Sequence, residues 1–316
     1  MKKHSRINRF LHRLYLKNYF ISKSSLEYEI DRYGDKIVEE NKLVFISGLA
    51  RSGTTTFLRE IHDSKKFASL QYRNMPFLFL PNTYQIKSVL KPSERAHGDS
   101  IKVNGDSPEE FDEYFWKVYL KDSFIKKDSL VSHDINDEIL KKYSDYTKLV
   151  CLSKKKQNYI TKNNNNILRV PSLIKLPSSV FFFLVRKPID HVSSLIKLHK
   201  KFSQDHINDS FSLEYFNLLG HHEFGMNHKP FNLLQSHYNN LRKYDPDKTE
   251  YWLLIWKQYY QYLLNIYEDK FNLIFFEDLI NEREKVNKYV NNVLQISITN
   301  ENKNFKPPIY KDVPKD

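Results

Sequence analysis

The first residues that could do chemistry lie in a short loop bounded by two glycines, Gly48 and Gly53. An apolar run over residues 43–46 precedes the loop, and three threonines follow it: Thr54, Thr55 and Thr56. The run predicts a buried strand, and the threonines begin a predicted helix that ends at residue 62. Backbone N–H groups in such a loop, with the positive end of the helix dipole, can cradle a phosphate or a sulfate. Only 7 glycines occur in the chain, so two in one loop indicate a backbone requirement.

The spacing of the two glycines is that of a Walker A loop, which continues with lysine and then serine or threonine. Here Thr54 stands at the lysine position, and Arg51 supplies a cation from inside the loop instead. Because the lysine normally holds the β- and γ-phosphates of a nucleoside triphosphate, its absence argues against an ordinary ATPase or kinase. The loop therefore favours a different phospho-anhydride.

A second candidate anion site follows the Phe-rich run 179–185, which predicts a buried strand. Arg186 comes directly after this strand, Pro188 begins the next predicted helix, and Ser194 lies about two turns into that helix. Open α/β sheets bind ligands at the carboxyl ends of their strands. An arginine fork together with a hydroxyl suits a phosphate monoester.

The segment Ala50-Arg51-Ser52-Gly53-Thr54-Thr55 resembles the 5′-phosphosulfate-binding loop of the sulfotransferases, which use 3′-phosphoadenylyl sulfate (PAPS) as sulfuryl donor. Those enzymes carry proline where this chain has alanine. Arg186 and Ser194 match the arginine and the serine, eight residues apart, that hold the donor's 3′-phosphate in the family. Residues 274–279 are similar to the family's terminal strand and acidic pair.

The resemblance implies a set of donor-binding residues: Arg51, Ser52, Gly53, Thr54, Thr55, Thr56, Arg186 and Ser194. It also implies that Arg51 acts in catalysis, by stabilising the charge that develops on the bridging oxygen as adenosine 3′,5′-bisphosphate leaves. No metal is demanded if this arginine, the backbone amides and the threonines neutralise the anhydride.

Two departures from the family pattern bear on the substrate. Thr56 stands where many cytosolic small-molecule sulfotransferases have a tryptophan that packs on adenine, and the family's C-terminal Arg-Lys-Gly motif is absent. The resemblance therefore implies a bacterial-type enzyme that acts on a carbohydrate or a glycan-linked metabolite. Part of its 3′-phosphate site must be built differently or be weaker.

The acceptor hydroxyl or amine needs a general base. His97 is the first choice, because the unperturbed pKa of histidine suits this task and many cytosolic sulfotransferases use histidine. Glu110, Glu113 and His222 remain alternatives, the carboxylates because sulfotransferases that act on sugars use glutamate. We expect four residues to contact the acceptor: Asp99, Glu110, Arg169 and His222.

Strands that alternate with helices predict an α/β fold of three layers, with a central parallel sheet flanked by helices in a P-loop, sulfotransferase-like architecture. We expect a single domain, 1–316, with a helical N-terminal extension, 1–40, and acceptor-binding insertions at 63–178 and 203–248. Within the first insertion, Ser107-Pro108-Glu109-Glu110 predicts a helix start with Glu110 in a capping box. Residues 163–166, all asparagine, predict a polar loop.

Composition narrows the class of protein. The chain has a formal net charge of +12 but no tight basic stripe, so we expect a small-molecule or glycan acceptor rather than nucleic acid. A single cysteine excludes an intramolecular disulfide framework, and the scattered histidines lack zincin spacing. No apolar run reaches the length of a membrane span, so a cytoplasmic protein is expected. Peripheral membrane contact through the basic N-terminus stays open, and so does the oligomeric state.

Three other functions stay open at this point. A P-loop nucleotide kinase would retain the loop, although the missing lysine and the lack of an evident Walker B acid tell against it. A non-catalytic 3′-phosphoadenosine-binding protein would retain the fold without modifying an acceptor. A nucleic-acid-binding protein is supported only by the net charge.

Overall fold

The computed structural model describes residues 5–37, 42–85, 92–94 and 101–298. The strands are β1 Leu43–Gly48, β2 Phe67–Ala68, β3 Ser93–Glu94, β4 Lys102–Val103, β5 Leu130–Val131, β6 Asn158–Lys162, β7 Ser179–Val185, β8 Phe231–Asn232 and β9 Phe271–Phe275. The helices are α1 Arg6–Leu16, α2 Tyr19–Tyr33, α3 Thr54–His62, α4 Glu113–Tyr119, α5 Asp137–Lys154, α6 Val170–Leu173, α7 Pro188–Asn208, α8 Ser210–Leu219, α9 Gln235–Leu241, α10 Thr249–Asn265, α11 Phe276–Asn281 and α12 Arg283–Leu294. Short 3₁₀ turns cover Gly34–Lys36, Tyr72–Asn74 and Asn164–Leu168.

Five strands form a parallel sheet in the order β2-β6-β1-β7-β9. β1 occupies the middle, where Val44 lies opposite Ile160 of β6 on one side and Val180 of β7 on the other. Every residue of β1 is buried, as expected for an interior strand of a parallel sheet. The predicted α/β class with a central parallel sheet is confirmed.

Side chains from the central strands alternate between the two faces of the sheet. On one face Phe45 stacks on Phe181 at 4.9 Å between ring centroids, and Tyr143 of α5 covers this pair. On the other face Phe182 meets Phe57 of α3 edge to face at 5.3 Å. Two separate apolar clusters therefore lie on the two faces, and helices cover both.

Several predicted elements have the predicted bounds. The strand at 179–185 and the helix at 54–62 are confirmed as β7 and α3. Within the predicted N-terminal extension the structure describes two helices, α1 and α2, which pack on the domain through Tyr15, Leu16 and Leu26. Within the described ranges, no helix is both long enough and apolar enough to cross a membrane.

The predicted helix start at Ser107 is wrong, because α4 begins only at Glu113. The carboxylate of Asp112, just before the helix, accepts hydrogen bonds from Tyr143 at 2.5 Å and Tyr159 at 2.6 Å. Glu110 lies outside the helix and turns inward, so it completes no capping box. Buried polar partners from distant strands override the local helix signal.

The asparagine run differs from an ordinary polar loop. Residues 163–166 follow β6 directly, and all four side chains are buried in the 3₁₀ turn beside β1. The backbone N–H of Asn163 donates to the Ile46 carbonyl, and Ser47 Oγ donates to the Asn163 carbonyl at 3.0 Å. The run is therefore part of the interior at the carboxyl end of the sheet.

Candidate active site

The turn from β1 into α3 requires glycine at two positions, Gly48 and Gly53. A Cβ atom on Gly48 would lie 2.5 Å from Ser52 Oγ and 2.8 Å from the Leu184 carbonyl oxygen. Gly53 has a φ of 96°, and a Cβ there would lie 2.5 Å from the ring of Phe276. Both glycines are therefore needed for the chain to turn closely against β7 and α11.

The two candidate anion sites meet in the structure. Arg186 at the end of β7 donates from Nη1 to the carbonyl oxygen of Arg51 at 3.0 Å, although the two residues are 135 positions apart. Arg51 Nε in turn donates to Ser194 Oγ of α7 at 3.1 Å. The Arg186 guanidinium lies 4.6 Å from the ring centre of Phe276. Neighbouring strands β1 and β7 thus bring both cations to one edge of the sheet.

His191 on the first turns of α7 also fixes the loop, and the sequence did not point to it. Its Nε2 lies 2.7 Å from the Ala50 carbonyl oxygen, an acceptor, so Nε2–H donates. Burial, with a smaller effect of the nearby charges of Arg186 and Arg51, lowers the pKa of His191 to about 3. The imidazole is therefore neutral at pH 7 and holds the loop by a hydrogen bond rather than a charge.

Asn164 connects this loop with a group of buried acids. Thr54 Oγ1, at the start of α3, donates to Asn164 Oδ1 over a long 3.5 Å. The backbone N–H and the Nδ2 of Asn164 donate to the two carboxylate oxygens of Glu110 at 2.6 and 3.1 Å. Its Nδ2 also lies 3.4 Å from Glu223 Oε1. We call Glu110, Lys162, Asn164, His221 and Glu223 the carboxylate cluster.

Lys162, the last residue of β6, supplies a buried cation to this cluster. It forms an ion pair with Glu110 and lies 3.8 Å from Glu109. Burial alone would lower the pKa of Lys162, but the neighbouring carboxylates outweigh burial and raise it. Burial raises the pKa of Glu110 to about 7, against the opposing effect of Lys162. Glu110 is therefore a carboxylate whose proton affinity suits exchange near neutral pH.

His221 and Glu223 complete the cluster from the loop after α8. His221 Nδ1 lies 3.7 Å from Glu223 Oε2. Burial opposes charge on His221, but the Glu223 carboxylate raises its pKa to about 9. Burial likewise opposes charge on Glu223, but His221 and Lys162 lower its pKa to about 2. This pair is therefore an imidazolium–carboxylate pair at neutral pH.

Three members of the cluster also have the donor types of a metal site. One atom each from Glu110, His221 and Glu223 lie within 4.8 Å of one another. The Lys162 ammonium already provides positive charge to Glu110. The expectation that no metal is required stays a prediction.

Arg169 and Glu113 lie elsewhere than expected. Arg169 is fully buried, and its two Nη atoms donate to the two Glu113 oxygens at 2.9 and 3.0 Å. Trp116 and Phe124 cover the guanidinium, and Asn163 Nδ2 donates to Glu113 at 2.8 Å. Because the ion pair is enclosed, the expected contact of Arg169 with an acceptor is wrong. Glu113 shares this enclosure, with both of its carboxylate oxygens held by Arg169, and its role as the base stays a prediction.

His222 is also turned away from the cluster. Its Nδ1 donates to the Asn227 carbonyl oxygen at 3.0 Å, and burial lowers its pKa to about 4. The loop was identified from sequence, but the structure brings His221 and Glu223 beside Glu110 rather than His222. His97 and Asp99 lie outside the described residues, so their expected roles stay predictions.

No protein-family model and no curated protein matches the sequence. Among solved structures, the sulfotransferase STF1 of Mycobacterium tuberculosis matches with a TM-score of 0.51 and 10% identity, over 93% of this chain and 78% of that one. The sulfotransferase STF9 of Mycobacterium avium matches with a TM-score of 0.50 and 12% identity, over 90% of this chain and 72% of that one. The similarity to these structures lies in the fold. It agrees with the resemblance to the sulfotransferases that the loop residues indicated. The chain therefore has the sulfotransferase fold.

Proposed function

We propose that this protein is a sulfotransferase that transfers the sulfuryl group of PAPS to a hydroxyl or amine of an acceptor. The proposal rests on one observation, the contact between the two candidate anion-binding segments. There Arg186 donates a hydrogen bond to the Arg51 carbonyl oxygen, and the Arg51 side chain donates one to Ser194. A donor with a phosphosulfate at one end and a 3′-phosphate at the other needs two such sites at one sheet edge.

The loop fits a phosphosulfate for a stereochemical reason. Gly48 and Gly53 leave no room for a Cβ against Leu184 and Phe276, so glycine at these positions lets the loop turn tightly, and the backbone amides of such a turn can bind an anion. Thr54 and Thr55 at the start of α3 add hydroxyls at the positive end of the helix dipole. When bound, PAPS would supply an activated sulfuryl group with adenosine 3′,5′-bisphosphate as leaving group.

Each cation has a separate proposed task. Arg51 places positive charge inside the loop, where negative charge develops on the bridging oxygen as transfer proceeds. Arg186 holds the 3′-phosphate by an ion pair with hydrogen bonds, and Ser194 donates a hydroxyl hydrogen bond to the same anion. His191 stays neutral and keeps the Ala50 carbonyl, and with it the loop, in place.

We propose Glu110 as the general base. Both Glu110 and Glu113 are buried, but Glu110 lies within 4.8 Å of the partly exposed His221 and Glu223, whereas Arg169 and Asn163, the partners of Glu113, are themselves fully buried. Its pKa is raised by burial to about 7, and Asn164 joins it to the donor loop through Thr54. Glu110 would accept the acceptor's proton, while Lys162 fixes its carboxylate and adds positive charge beside it. His97 remains the competing base.

The acceptor is proposed to be a carbohydrate or a glycan-linked metabolite. The carboxylate cluster supports this, because it offers hydrogen-bonding groups of both charges, some of them partly exposed, where a hydroxyl-rich molecule could be held. The imidazolium of His221 and the amide of Asn164 can donate, and the carboxylates can accept.

The first test is calorimetric titration with adenosine 3′,5′-bisphosphate, with ATP–Mg²⁺ as the comparison ligand. We expect the bisphosphate to bind and Arg186→Ala to weaken it by about 10- to 100-fold, because a charge-assisted hydrogen bond is lost. Arg242→Ala, a change at an exposed arginine paired at 3.9 Å with Asp128, is the matched control and should bind normally. Binding of ATP–Mg²⁺ alone would favour the kinase instead.

The second test measures transfer from radiolabelled PAPS to a panel of oligosaccharides, amines and phenols. Transfer to oligosaccharides supports the carbohydrate acceptor. Bisphosphate binding with no transfer to any member of the panel would indicate the non-catalytic 3′-phosphoadenosine-binding protein.

A further inference from the structure

Helix α1 exposes a line of large apolar side chains to solvent. Ile7, Phe10 and Leu14 are 71%, 61% and 49% exposed, and their spacing puts them on one side of the helix. Phe20, at the second position of α2, is 79% exposed. We call these four residues the N-terminal ridge. Scattered exposed apolar residues are normal, but four on one short segment mark a contact surface.

The other sides of α1 are anchored, so the ridge cannot turn inward. Tyr15 and Leu16 are buried in the core. Arg9 pairs with Asp209 at 3.3 Å, and Arg13 Nε donates to both Glu214 oxygens at 3.0 and 2.8 Å. These contacts join α1 to α8 and its cap. The ridge is therefore a fixed feature of the folded domain.

The side of α1 that borders the ridge is basic. Arg6, Arg13 and Lys17 follow one another along this side, and the helix itself contains no acid. Arg13 and Lys17 share one acid, Glu214, and Arg6 adds a third cation on this side. The border of the ridge thus keeps a net positive charge.

We propose that the N-terminal ridge docks on an anionic lipid surface. An apolar line edged by arginine and lysine complements the acyl boundary and the negative head groups of such a bilayer. A second copy of the chain would bring an equally basic border against it, in a protein whose formal net charge is +12. Charge therefore favours the lipid surface over self-association. This inference does not depend on the proposed sulfuryl transfer.

The test is co-flotation of the full chain with vesicles of phosphatidylglycerol and phosphatidylcholine, compared with vesicles of phosphatidylcholine alone. We expect binding only to the anionic vesicles. Ile7→Gln/Phe10→Gln should weaken it at least about tenfold, because two apolar side chains no longer enter the bilayer boundary. Arg6→Gln should weaken it about fivefold. Leu264→Ser, at a site 66% exposed on α10, is the matched control and should bind normally.

Three outcomes would overturn the proposal. The first is equal binding to neutral and anionic vesicles, or to neither. The second is undiminished binding of Ile7→Gln/Phe10→Gln, provided that its circular dichroism matches the wild type. The third is a dimer in light scattering that the same double change converts to monomer, since the ridge would then be covered by a second copy.

Discussion

The donor loop and the carboxylate cluster lie side by side, but their residues are gathered in different ways. The loop is one continuous segment after β1, and its shape follows from two glycines and a helix start. The cluster takes Glu110 from before α4, Lys162 and Asn164 from the end of β6, and Glu223 from the loop after α8. A site made by one segment can be predicted from sequence, whereas a site made by three separate segments cannot.

The two regions also use charge differently. Arg51 and Arg186 carry charge that an anionic ligand would meet, and His191 between them is kept neutral. In the carboxylate cluster, oppositely charged side chains form ion pairs with one another: Lys162 with Glu110, and His221 with Glu223. Changes in the first region should therefore alter binding, and changes in the second should alter rate or stability.

The largest expected effect is on turnover. Glu110→Gln keeps the shape of the side chain but removes the proposed base, and we expect the rate of transfer to fall about 10²- to 10⁴-fold. Bisphosphate affinity should stay the same, which separates the two regions. Glu109→Gln, also close to Lys162, is the matched control in the same assay. If Glu110→Gln retains near-normal turnover, the base is elsewhere and His97 becomes the next residue to change.

The next effect is on stability alone. Arg169→Met leaves the Glu113 carboxylate buried without its cation, and we expect the free energy of unfolding to fall by about 3–5 kcal/mol. Urea denaturation measures this, and Lys141→Met, which breaks an exposed pair with Asp145, should cost less than about 1 kcal/mol. A normal unfolding midpoint together with a raised KM would instead restore Arg169 as an acceptor-binding residue.

The pH dependence of turnover tests the same carboxylate. Because the pKa of Glu110 is raised to about 7, its basic form is lost as pH falls below 7, and the rate should drop about tenfold per unit there. His221, with a pKa of about 9, stays protonated through this range. The folded state also holds the Glu110 proton more tightly than the unfolded state, so this residue's contribution to stability falls as pH rises from about 4.5 to 7. A flat rate profile between pH 5 and 7 would exclude Glu110 as the base.

The smallest expected effect is at the junction of the anion sites. Ser194→Ala removes a hydroxyl that accepts a hydrogen bond from Arg51 and would donate one to the proposed 3′-phosphate, and it should weaken bisphosphate binding about threefold to tenfold. Calorimetry measures it beside Ser193→Ala, the neighbouring position on α7. A loss as large as that of Arg186→Ala would mean that the serine orders the loop as a whole.

The sequence predicted those parts of the fold that depend on local sequence patterns. The apolar run of β7 is long and β-rich, and Gly48, Gly53 and Pro188 mark where strands give way to helices. These features predicted the parallel sheet and the position of both anion-binding segments. The junction of Arg51 with Ser194 follows from the pairing of β1 with β7, which the order of elements suggested but did not specify.

The features that the sequence did not predict depend on contacts between residues far apart in the chain. The asparagine run looked like a surface loop because nothing beside it in the chain shows that Glu110 and Glu113 receive its hydrogen bonds. For the same reason the capping motif at Ser107 was misleading, since its glutamate is used by Lys162. The sequence did contain one indication of this site. A lysine and a run of asparagines follow a short β-rich segment, and the carboxyl ends of strands are where an α/β sheet binds its ligands.

The order of strands in the sheet has a consequence for how the protein is made. β1 is complete by residue 48, yet its two neighbours, β6 and β7, leave the ribosome more than a hundred residues later. Until then a mostly apolar strand and a glycine loop remain without the pairing that shapes them. The nascent chain therefore carries the central strand of its sheet unpaired for more than a hundred residues, and we expect chaperone capture to be strongest on ribosome-bound chains that end between β1 and β6.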